Sequence, residues 1–187
     1  MNPEAITMTM TMNQRKLIDS FVKEHLKEVS EDSYNKVKSN MRVHMTKSDY
    51  LSLPINLSQL TKAKPYGLWY GIGTEWIDWV RFNMPEWESP NLFEIIVDES
   101  NILKIETPKE LEEFTRAFRD KSPKSLEFNE YVFSINWSAV ASFFAGIEIS
   151  PYHHSMRMNN YTSWYYTWDV ASGCIWDESG IKEIKKL

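Results

Sequence analysis

Hydrophobic and polar positions change period several times along the chain, and each change marks an element. From Asn13 onward, Leu17, Ile18, Phe21, Val22, Leu26 and Val29 recur at helical spacing between charges, which predicts an amphipathic helix of about four turns. Ser30 offers a cap for a second short helix. Met41 to Met45 alternates as a strand does, and 46–49 breaks the alternation, so His44 falls near the strand's end and Thr46 just past it. Tyr50 to Leu60 is apolar but interrupted by Pro54, which predicts a loop and a short helix. Gly67 to Tyr70 reads as a short buried strand and Gly71 to Gly73 as a turn. Thr74 then reads as the N-cap of a helix with Trp76, Trp79 and Val80 on one face.

The second half mixes the two periods. Leu92 to Val97 and Ile102 to Ile105 are predicted strands flanking a turn. Thr107-Pro108-Lys109-Glu110 opens a helix with Thr at the cap, Pro at the first position and Glu at the third, and Leu111, Phe114, Ala117 and Phe118 form its buried stripe. A polar loop is expected over 120–129. A helix from Asn136 or Ser138 follows, with Trp137, Val140, Ala141, Phe143 and Phe144 inward and Gly146 at its end. Ile147 to Ile149 is a strand, and Tyr152 to Tyr161 a mobile loop holding His153, His154 and Arg157. Trp164 to Asp169 and Gly173 to Trp176 make a strand pair or one bent strand, and Ile181 to Leu187 a short final segment. Helices and strands without regular alternation indicate an α+β fold. The expected division is a flexible tail over 1–12 (a strand being the alternative), a helical segment over 13–40, and one α+β domain over 41–187.

Composition narrows the function. The chain has 187 residues, enough for one domain. It carries 9 Phe, 9 Tyr and 8 Trp, more rings than a core of this size readily hides, so some should line a groove. A net charge of −5 without a basic run argues against general nucleic-acid binding. The single cysteine, Cys174, forms neither an internal disulfide nor a cysteine zinc site, and the four histidines lack a metal-ligand spacing, so no metal is expected. With no apolar run of membrane-spanning length and no basic-then-apolar leader pattern, the expectation is a cytoplasmic protein without a membrane partner.

Candidate chemistry gathers around 64–79, where three of the six glycines and three of the eight tryptophans fall together. Glycines admit close backbone approach, and the rings supply flat walls, so strand, turn and helix together suggest one side of a pocket. Three short motifs in order resemble the ADP-ribosyltransferase fold, in its diphtheria-toxin and poly-ADP-ribose-polymerase branch. His44-Met45-Thr46 is similar to the branch's first-strand His-x-Thr/Ser motif. Gly67-Leu68-Trp69-Tyr70, leading to the helix with Trp76 and Trp79, is similar to its Gly-aliphatic-Tyr-Phe strand. Ser172 to Asp177, running into 178–181, is similar to its late strand.

The resemblance covers about 41–184 and implies a split, mostly antiparallel sheet. It also implies NAD as substrate and transfer of ADP-ribose to a protein, nucleic-acid or small-molecule acceptor. His44 and Thr46 would hold NAD, while Gly67, Leu68, Trp69, Tyr70 and Trp76 would frame nicotinamide. Arg42, Lys64 or Arg157 would meet the pyrophosphate. Ser172 stands where the family carries its catalytic glutamate, which leaves Asp169, Glu148 or no acid at all to serve. A second implied reading is therefore a non-catalytic binding or inhibitor module of the same fold, using the aromatic groove for a nucleotide or protein partner.

Overall fold

The computed structural model describes residues 28–120 and 134–187, together with Met12 and Lys16. The expected tail, the body of the first helix and the polar loop of 120–129 lie almost wholly outside the described residues. Ser30 does cap a short helix, α1 (Glu31–Lys36), accepting from the Ser33 amide. The described part mixes helix and sheet, as an α+β reading requires.

Seven strands form the main sheet: β1 (Arg42–Thr46), β3 (Leu68–Ile72), β4 (Asn91–Val97), β5 (Ile102–Ile105), β7 (Gly146–Ile149), β8 (Ser172–Ile175) and β9 (Ile181–Lys186). Their order is β5-β7-β8-β3-β1-β4-β9, antiparallel throughout except for β5 beside β7. Two short strands, β2 (Thr61–Lys62) and β6 (Ile135–Asn136), pair separately. A turn over 98–101 links β4 to β5, yet the two strands do not pair. Instead the Asp98 amide donates to the Gly180 carbonyl and the Ala145 amide to the Asn101 carbonyl. One turn thus touches the starts of both β7 and β9, and the sheet curls.

Alternation gives the two faces different contents. The inner face carries Leu68, Tyr70, Phe93, Ile95, Val97, Ile102 and Ile175. Over β5, β7 and β8, the outer face is covered by α3 (Pro108–Phe118), α4 (Trp137–Ala141) and the 3-10 segment Asn160–Thr167. Trp137, Trp164 and Trp168 are fully buried there. Beside them α2 (Glu75–Asn83) packs Ile77 against Val43 and Leu92. The capping box on α3 forms as its sequence predicts, with Thr107 and Glu110 exchanging bonds.

Several elements differ from expectation. No helix forms in 47–60, where the chain is irregular and Pro54 is buried. β3 runs through Gly71, so within the expected turn at 71–73 it is Gly73 that stands in the left-handed region, at φ 57°. Thr115 rather than Ala117 is buried on α3, because its hydroxyl accepts from Trp164 Nε1 (2.8 Å) and donates to the Leu111 carbonyl (2.8 Å). Phe143 is exposed, and Gly146 begins β7 instead of ending a helix. The expected loop at 152–161 contains a helical turn, α5 (His154–Arg157). The expected strand at Trp164 is 3-10 helix, which lets Trp164, Tyr165 and Trp168 point into one aromatic cluster. Among the described residues no helix is long and apolar enough to cross a membrane.

Candidate functional site

β1 and β3 pair only at Arg42↔Ile72 and Val43↔Gly71. Beyond those two rungs β1 stays with β4 and β3 stays with β8, so 44–46 and 68–70 face each other unpaired. His44 bridges the gap: its Nδ1 lies 2.6 Å from the Trp69 carbonyl oxygen and donates to it. Burial lowers the His44 pKa below the ordinary value, opposed in part by that bond. The neutral ring then keeps an acceptor lone pair on Nε2.

A cavity of about 320 Å³ opens at this parting, lined by His44, Lys64, Trp69, Tyr70, Trp76, Asp169 and Ser172, with Val43, Met45, Gly71 and Val170 between them. The volume is at the low end of the range for small-molecule sites, about 300–1,000 Å³. Each wall has a local cause. Gly71 lets α2 press against β3, since a Cβ there would stand 2.7 Å from Trp76 Cβ. Trp76 in turn stacks on Trp79 (5.1 Å, 8° between planes). Trp69 is held by Trp168, edge-on at 4.8 Å. Glu75 on α2 accepts from the Ala171 amide (2.9 Å), which ties the segment before β8 to the helix.

The charged groups are unequal. Asp169 is half-buried, with Arg157 NH2 donating to its Oδ1 (3.1 Å). Lys64 is exposed as a whole residue, but its ammonium turns inward over the Trp69 ring at 5.1 Å. Desolvation there lowers its pKa, opposed by the charge of Asp169. Ser172 is buried and donates its hydroxyl to the Val170 carbonyl (2.9 Å).

Six of the ten site residues expected from sequence line this cavity: His44, Trp69, Tyr70, Trp76, Asp169 and Ser172. The other four do not. Thr46 ends β1 and caps the next turn, its Oγ1 accepting from the Ser48 amide. Leu68 is in the inner-face core. Gly67 serves packing, because a Cβ there would lie 2.2 Å from the Ile175 carbonyl oxygen.

Glu148 faces the inside of the curl. Arg42 grips it through both oxygens (Nε to Oε2 2.5 Å, NH2 to Oε1 3.0 Å), and the Tyr70 hydroxyl donates to Oε2 (2.9 Å). Glu99 accepts from Arg42 and pairs with Lys104, so Arg42 is committed as well. Burial disfavours the Arg42 charge, but bonding to Glu148 outweighs it and the pKa stands above the ordinary value. Burial, then the Glu148 charge, raises the Tyr70 phenol. This cluster was not read from sequence, although an acid between Ile147 and Ile149 in a buried strand needs a cation to be tolerated.

Among the described residues no cluster of three His, Cys, Asp or Glu side chains could hold a metal ion. Comparison with protein-family models, with curated proteins and with solved structures returns no match to this chain.

Proposed function

We propose that the cleft binds NAD as a substrate and that the protein transfers ADP-ribose from it to an acceptor. One observation carries this reading: an imidazole, an indole and a carboxylate from distant segments (His44, Trp69, Asp169) line one cavity where β1 and β3 part. Breaking the nicotinamide–ribose bond builds positive charge on the sugar, as in glycoside cleavage. Asp169 is the acid of this cavity and stabilises that charge. Trp69 offers its face to the pyridinium ring. The Trp69 carbonyl points away from β8 toward His44, and in an extended strand the amide of the same residue points the same way. That amide is a donor for the carboxamide of nicotinamide. His44 Nε2 remains to accept from a ribose hydroxyl.

The test is release of nicotinamide from NAD by the purified protein, followed by chromatography, with several acceptor pools present. The wild type releases it, and Asp169→Asn slows release by about a hundredfold. No nicotinamide and no ADP-ribosylated product in any pool would sink the catalytic reading. Ser172 favours the second reading, because its hydroxyl closes onto Val170 where the resemblance implies a glutamate. NAD binding without turnover, unchanged in Asp169→Asn, selects that non-catalytic module.

A further inference from the structure

The indole face assigned to the ligand is already covered. Lys64 Nζ lies over Trp69, and Trp168 packs edge-on against the same ring. Among the described residues the Lys64 ammonium makes no hydrogen bond and no ion pair within 4.0 Å, and Asp169 acts on it only at longer range. The ring contact is therefore its main attachment at that end. The residue as a whole is exposed, so the side chain has room to swing its ammonium off the ring.

We propose that Lys64 is a cationic cover on Trp69, which a ligand ring must displace, so that it holds down the affinity of the cleft for rings, most of all for rings bearing positive charge. The inference rests on the reading that a ligand ring sits on Trp69. Any ring that displaces Lys64 forfeits the same cation–π contact, and a neutral ring returns only stacking. A pyridinium replaces one cation by another on the same face and keeps that attraction. That return belongs to Trp69 itself, while the displaced Lys64 charge stays at short range and repels a bound cation.

Calorimetric titrations of wild type, Lys64→Ala and Lys64→Met test this with three probes: 1-methylnicotinamide (a cationic ring), nicotinamide (a neutral ring) and ADP-ribose (no such ring). Lys64→Met keeps the apolar stem and controls for lost packing. In both variants 1-methylnicotinamide tightens about two- to fivefold, nicotinamide tightens less, and ADP-ribose does not tighten. Equal tightening of all three, or unchanged or weaker binding of 1-methylnicotinamide, overturns the cover. ADP-ribose binding without 1-methylnicotinamide binding to any of the proteins overturns it too, and leaves the nucleotide reading standing. Failure of all three probes overturns both.

Discussion

Glu148 sits inside the curl of the sheet, held through both oxygens by Arg42 and through one by Tyr70. Asp169 stands at the cleft with one oxygen on Arg157, and its side chain is 21% exposed against 8% for Glu148. Both acids lie close to β8, one inside the curl and the other at the cleft. One is saturated with partners and acts as a strut between β1 and β7. The other keeps bonding capacity and solvent access, as an acid that acts on a ligand must. Tyr70 touches both regions, since the residue helps line the cavity while its hydroxyl reaches Glu148. Gly173 makes that reach possible: a Cβ there would stand 2.3 Å from the Tyr70 ring.

The contrast breaks first at the strut. Glu148→Ala leaves the half-buried Arg42 with only the exposed Glu99 to meet it, and unfolding in urea should show a loss of about 3 kcal/mol. A loss under about 1 kcal/mol would mean the pair does not hold the curl. Tyr70→Phe removes one donor to a buried carboxylate and keeps the ring, so about 1.5–3 kcal/mol should go. In that variant 1-methylnicotinamide binding stays within about twofold if the hydroxyl acts only inward. Asp169→Asn should change stability least, by less than about 1 kcal/mol, because its partner is part-exposed. A large destabilisation there would make Asp169 a second strut and erase the distinction.

Local signals in the chain were informative where they were local in cause. Thr107, Pro108 and Glu110 fix the start of α3 without help from the rest of the fold. The run of aromatics at Trp164, Tyr165 and Trp168 suggests a strand, but their spacing of one and four is helical, and burial of all three rings favours the 3-10 turn. At the site, the resemblance points to ten residues, of which His44, Trp69, Tyr70, Trp76, Asp169 and Ser172 line the cleft while Thr46, Gly67, Leu68 and Glu148 do not. Sequence does not separate Glu148 from Asp169, because the face that Glu148 occupies depends on β7↔β8↔β3 register. That register pairs Glu148 with Gly173 and Gly173 with Tyr70, and no stretch of sequence states it.

The unpaired neighbours β4 and β5 carry a consequence for assembly. Ile102 follows Val97 by one turn, yet its partner is Gly146, a strand that arrives only after α3 and α4. The easy hairpin is passed over, and entropy of loop closure must be overcome before that edge gains any bond. Until β7 has docked, β5 carries an open row of amides and carbonyls, and a nascent chain is most exposed to wrong pairing at that stage.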